Sequence, residues 1–249
     1  MKDTLYGHAR EAVALPGMLL TSLLWPLVPK KTRKQVFDSS VKSGVRSGLK
    51  SGAESRQPII CIPGYAHNNS CYILLMKRLQ NAGLGPVISY NYHPLLGSIE
   101  GHAERLASLI EHTLDNSDHH KVSIIGHSMG GLVARHYLQE LSGLDNVEKL
   151  ITLETPHQGL AIGRYAPGKC AKQMAPEHHF MKKIKEGTAS LKDLPILGIY
   201  SDINPISAMG DTYKILDGKS DFFVSGYGHA SVLYTKPIAE KVITFLKPS

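Results

Sequence analysis

From Pro58 onward, short apolar runs punctuate the chain at 58–62 (PIICI), 86–92 (PVISYNY), 121–125 (KVSII), 149–153 (KLITL), 196–200 (ILGIY) and 221–225 (DFFVS). None alternates strictly between apolar and polar residues, as a strand with one face in water would; such runs suit strands covered on both faces. Between them the apolar period changes to that of a helix. Ser98 is placed to N-cap a helix in which Ile99, Ala103, Leu106, Ile110 and Leu114 share a face, and 129–141 and 232–246 read similarly. Alternating strands and helices predict an α/β fold, a mostly parallel central sheet of about six strands with helices on both faces. Sites in such sheets gather at the carboxyl ends of the strands.

The first 57 residues follow neither pattern. Residues 12–29 carry no charge and include Met18, Leu19, Leu20, Leu23, Leu24, Trp25, Leu27 and Val28, but Pro16, Pro26 and Pro29 interrupt the run. It only just reaches the length of a membrane span, and no small-residue cleavage site follows it as in a secretory signal. With Trp25 inside and Lys30, Lys31, Arg33 and Lys34 directly after, it suits a segment lying at a membrane interface. The plainer alternative is a helix packed on the domain surface. Residues 39–57 repeat basic-Ser-Gly units at Lys42, Arg46 and Lys50, which is linker composition. These features divide the chain into an N-terminal apolar and basic segment, 1–57, and a catalytic domain, 58–249.

The charge supports this division. The chain of 249 residues carries a net +7. Ten basic and four acidic side chains lie in residues 1–57, so all but +1 of the excess sits there. A basic nucleic-acid groove across the domain is therefore not expected, and an anionic membrane met through residues 12–56 is the better partner. The expected location is membrane-associated through this segment, and otherwise cytoplasmic. The three cysteines, Cys61, Cys71 and Cys170, form no C-x-x-C pair and suggest reduced thiols.

The candidate chemistry centres on Gly126-His127-Ser128-Met129-Gly130, a G-x-S-x-G. A strand ends at its first glycine and a helix starts at Met129, the strand-turn-helix elbow that lifts a nucleophilic serine above a sheet. A general base must come from elsewhere, and Gly226-Tyr227-Gly228-His229 follows the last strand, where His229 can reach back to Ser128. His119, His120, His178 and His179 lack metal-ligand spacing, and His127 lies inside the elbow, so solvated or structural roles are expected for them. An oxyanion hole needs two backbone N–H donors. Met129 offers one, and Tyr65 in the Pro63-Gly64-Tyr65 loop after the first strand offers the other. No cofactor or metal is expected; neither G-x-G-x-x-G nor G-x-x-x-x-G-K-[ST] occurs.

The segments IICIPGY (59–65), SIEGHAERL (98–106), VSIIGHSMGGLVARHYL (122–138), LITLETPHQG (150–159), KQMAP (172–176), Tyr200-Ser201-Asp202 and GYGHASVLY (226–234) together resemble the α/β-hydrolase superfamily, and within it small bacterial lipases and esterases. The resemblance spans nearly all of 58–249 and none of 1–57. It implies the α/β-hydrolase fold and hydrolysis of carboxylic esters, including lipids, through an acyl-enzyme. Ser128 would be the nucleophile, His229 the base, and the Tyr65 and Met129 N–H groups the oxyanion hole. Two departures stand out. The family's His-Gly in the oxyanion loop is Pro63-Gly64, and the position of its acid after the penultimate strand falls on Asn204. An amide orients an imidazole but does not stabilise its positive charge. Two carboxylates can compensate: Glu154, at the carboxyl end of the 149–153 strand, where pancreatic-type lipases carry their acid, and Asp202. The stretch 155–195, with Tyr165, Cys170, Met174, Phe180 and Met181 among lysines, can wall an acyl pocket or belong to the core. The same Ser-His site is compatible with acyl transfer or thioester cleavage, and Asn204 leaves open a weakly catalytic membrane-tethered binding protein.

Overall fold

The computed structural model describes residues 8–14, 56–92, 97–203, 213–215 and 221–248. Most of the apolar run and linker, and Asn204, lie outside these residues. Six strands, β1 (Ile59–Ile62), β2 (Val87–Ser89), β3 (Val122–His127), β4 (Val147–Leu153), β5 (Ile196–Ile203) and β6 (Asp221–Gly228), form one sheet. Their order is β2-β1-β3-β4-β5-β6 and every neighbouring pair is parallel. The chain winds outward from β1 to β2, then returns to β3 on the other side of β1. The switch point therefore falls between β1 and β3, where an open parallel sheet leaves a crevice at its carboxyl edge.

The strands lack apolar alternation because each face has its own core. Ile60, Ile62, Val122, Ile124, Leu150 and Ile196 point to one side, which α2 (Ile99–Asp115) and α3 (Met129–Glu140) cover. Ile59, Cys61, Ile125, Ile151, Leu153, Leu197 and Ile199 point to the other, under α1 (Ile73–Asn81) and α6 (Lys236–Leu246). Each fully buried aliphatic side chain contributes about 1.5–3 kcal/mol of transfer free energy. The Ser98 cap forms as its residue type predicts, Oγ accepting from Gly101 N at 3.2 Å. The last helix begins later than periodicity predicts. Residues Ser231–Leu233 form a 3₁₀ turn and α6 starts at Lys236, with Pro237 in its first turn.

In the 155–195 stretch, α4 (Lys169–Gln173) and α5 (His179–Glu186) carry Cys170, Met174, Phe180 and Met181 into the first core; Tyr165 remains 84% exposed. Arg135 of α3 pins this cover. Its buried guanidinium donates to Ile184 O and Thr188 Oγ1 at 2.7 Å, to Gln139 Oε1 at 3.2 Å and to His157 Nδ1 at 3.3 Å. Ile184 lies in the last turn of α5, where the helix carbonyls favour a cation. Burial lowers the Arg135 pKa to about 9, so the group stays charged at neutral pH.

Candidate active site

Ser128 lies between β3 and α3 with φ 53° and ψ −125°, a conformation that costs a non-glycine residue about 1–3 kcal/mol. The surroundings hold it there. Its N–H donates to Leu153 O at 2.8 Å, and its carbonyl accepts from Gly131 N at 3.0 Å. The neighbouring glycines are required by close approach. A methyl group on Gly130 would lie 2.2 Å from Ile62 O, and one on Gly64 would lie 2.9 Å from Ser128 Cβ. The elbow is thus wedged against the end of β1 and the loop after it.

That loop carries Tyr65, half-buried, and its path is fixed by two buried phenols. Tyr72 Oη donates to Ile62 O at 2.8 Å and Tyr92 Oη to Pro63 O at 2.5 Å. The Tyr65 side chain itself reaches the 155–195 cover, donating to Pro167 O at 2.6 Å. Pro63 thus fits a loop whose shape comes from these tyrosines. Met129 is fully buried as the first residue of α3.

His229 is buried in the turn after β6. Its Nδ1 lies 4.0 Å from Glu154 Oε2, close enough for an ion pair and too long for a hydrogen bond. Glu154 directly follows β4, is wholly buried and has φ 49°, its N–H donating to Ile199 O at 2.8 Å. The second carboxylate considered from sequence is engaged elsewhere. Asp202 accepts from Ser225 Oγ at 2.6 Å and from Gly226 N at 2.8 Å, which ties β5 to β6.

His127, between the elbow glycine and Ser128, donates from Nε2 to the His229 carbonyl at 2.8 Å, which fixes its proton on Nε2. Its ring centroid lies 4.9 Å from that of His229 and 5.7 Å from that of His67. Burial and the neighbouring His127 bring the His67 pKa down to about 3; burial brings His127 down to about 4 against the opposing bond to His229. Burial, then His127 and His67, holds His229 well below the usual imidazole range. His229 is therefore neutral at pH 7 with the Glu154 side chain beside Nδ1, the state a general base needs before it accepts a proton.

Sequence reasoning singled out Ser128, His229, Tyr65, Met129, Glu154 and Asp202 as candidates and did not foresee two features. One is the contact of His127 with His229. The other is at the N-terminus: residues 8–14 are helical, and Glu11 is buried against the turn that follows β6. Glu11 accepts from Ala230 N at 2.7 Å and Ser231 N at 3.0 Å. One acid among the charges of a basic segment gives no local signal of a contact more than 200 residues away.

Residues 96–217 match the family model described as a PGAP1-like alpha/beta domain. Among solved structures, a gene product of Listeria innocua superposes with a TM-score of 0.59 at 17% identity, covering 78% of this chain and 95% of that one. The mature lipase BlEst2 of Bacillus licheniformis gives 0.64 at 15% identity over 78% and 95%. Aspergillus fumigatus lipase B gives 0.60 at 20% identity over 76% of this chain and 51% of its own. Together with the six-stranded parallel sheet and its covering helices, these matches show that the chain has the α/β-hydrolase fold, similar to that of solved lipases.

Proposed function

We propose that the chain is a serine hydrolase of carboxylic esters, with residues 58–249 as its catalytic domain. The observation that supports this reading is the strained Ser128 elbow, whose His127 bonds the carbonyl of His229 at 2.8 Å, with Glu154 4.0 Å from the His229 ring. His229, neutral at pH 7, accepts the Ser128 proton as Oγ attacks the ester carbonyl. Glu154 then faces an imidazolium and stabilises it. The Met129 and Tyr65 N–H groups receive the oxyanion, and the start of α3 adds the positive end of its dipole. Collapse of the tetrahedral intermediate expels the alcohol, which takes the proton from His229. Water gives a proton to the same imidazole as it attacks the acyl-Ser128 ester, and Ser128 Oγ takes that proton back as it leaves and the acid is released.

The lipases among the structural neighbours make lipid or other acyl esters the leading substrate class. No helix among the described residues is long and apolar enough to cross a membrane. The apolar and basic composition of residues 12–56 supports peripheral contact with an anionic membrane. A chain-length series of p-nitrophenyl esters, with and without anionic vesicles, tests the reading on the full chain and its Ser128→Ala variant. Turnover that vanishes in Ser128→Ala is expected. Turnover unchanged in that variant overturns the serine mechanism, and activity indifferent to vesicles overturns the membrane contact.

A further inference from the structure

The turn that carries His229 is held from both sides by two consecutive residues near the start of the chain. Ahead of His229, Arg10 Nη1 donates to Gly226 O at 3.1 Å, and the guanidinium sits 5.0 Å from the centre of the Tyr227 ring. Behind it, the two Glu11 oxygens separately accept the Ala230 and Ser231 amides at 2.7 and 3.0 Å. These amides open the 3₁₀ turn Ser231–Leu233, so the carboxylate satisfies donors that would otherwise be left at the start of a helical turn. Glu11 is 5% exposed, and its carboxyl group occupies the place of a Gly228 side chain: a methyl there would lie 2.5 Å from Glu11 Cδ. Ser231 Oγ closes the same turn by accepting from Gly228 N at 2.8 Å.

A surface helix held only by apolar contact would not place a buried carboxylate between two backbone amides. Charge-assisted bonds to both amides fix the orientation of the peptides after His229. Arg10 fixes the approach before it, and His127 holds the His229 carbonyl. The imidazole can meet both Glu154 and Ser128 only if this backbone stays within a few tenths of an ångström of its place.

We propose that Glu11 is a positioning residue for His229 and that residues 8–14 are an intramolecular clasp on the catalytic turn. The proposal rests on the reading of His229 as general base. It gives the N-terminal segment a role in turnover as well as in attachment: the chain that follows the clasp is the apolar and basic stretch 15–34, so whatever engages that stretch acts on the element holding the base.

The test uses the full-length protein and its Glu11→Gln, Glu11→Ala and Glu11→Asp variants. Each is assayed with a soluble p-nitrophenyl ester well below its melting temperature, and amide hydrogen exchange is followed across 226–234. In Glu11→Gln, one oxygen still accepts while the amide NH₂ faces the second donor. The expected result is a kcat at least tenfold lower with KM within twofold, and at least tenfold faster exchange at Ala230 and Ser231. Glu11→Ala should be affected at least as much, and Glu11→Asp should recover part of kcat. A kcat within twofold of the parent in folded Glu11→Gln, or unchanged exchange at both amides, overturns the clasp while leaving the serine-hydrolase reading intact. If the parent shows no ester turnover and Ser128 takes up no fluorophosphonate, that reading falls and the proposal falls with it.

Discussion

Replacing Glu154 by Gln removes one charge and keeps the shape of the side chain. The Glu154 carboxylate lies 4.0 Å from His229 Nδ1, and both groups are buried. Across that distance a unit pair is worth about 4 kcal/mol at an effective dielectric constant of about 20, and about 1 kcal/mol in bulk water. The pair is fully charged only when His229 carries the Ser128 proton, so nearly all of that energy is realised in the transition state. About 4 kcal/mol corresponds to roughly a thousandfold in kcat. KM should change little, because the ground-state imidazole is neutral. Removing a buried charge should not lower the melting temperature, which separates lost chemistry from lost folding. The assay is p-nitrophenyl ester hydrolysis with thermal melts on the same samples, and Asp202→Asn as a comparison. Since Asp202 bonds Ser225 and Gly226, its variant should keep kcat within about threefold and melt lower. A loss of less than about fivefold in Glu154→Gln, the value for solvent-screened charges, would refute the assignment of the acid.

Four further outcomes follow from the packing and electrostatics. Because burial and neighbouring imidazoles hold His229 below its usual range, the acid limb of kcat/KM should lie below pH 6.5; a limb above pH 7 would contradict this. His127 and His67 have folded pKa values of about 4 and 3, below the unfolded value of about 6.5, so the unfolded chain binds more protons beneath pH 6.5. Stability should be fully present above that pH and fall by about 2 kcal/mol per histidine by pH 5, and a urea midpoint unchanged between pH 7 and pH 5 would contradict it. Arg135→Ala opens a cavity and strips donors from Thr188, Gln139 and His157. It should cost about 3–4 kcal/mol and lower the melting temperature by roughly 10 °C; a change under 2 °C would count against the pin. Gly130→Ala forces Ile62 O away from a methyl that would lie 2.2 Å from it. It should lower kcat at least a hundredfold with the far-UV circular dichroism unchanged, and retained activity would show that the elbow is not wedged as described.

The strands and the elbow were legible in the sequence because both depend on local pattern. Ile59, Ile60, Cys61 and Ile62 make a run without alternation because alternate residues enter opposite cores. Ser128 is recognisable because the glycines needed for clearance are its neighbours in sequence. The 86–92 run reads too long as a strand: β2 ends at Ser89, Tyr90 N still bonds Cys61 O, and the side chains of Tyr90 and Tyr92 donate to His102 O and Pro63 O. Pro237 marked the true start of α6, which apolar spacing alone obscured. The choice between Glu154 and Asp202 depends on where the turn after β4 and the end of β5 carry their carboxylates relative to His229, and no local pattern records that. The Glu11 clasp depends on contacts between opposite ends of the chain, so only the folded structure reveals it.

The central claim is that Ser128 becomes acylated with His229 as base. The most direct measurement is rapid-quench mass spectrometry of the full-length protein mixed with a p-nitrophenyl ester, followed by peptide mapping. The account predicts a transient acyl adduct on Ser128, absent in Ser128→Ala and formed at least a thousandfold more slowly in His229→Ala. An adduct on another residue, or ester turnover that proceeds without any adduct, would contradict it.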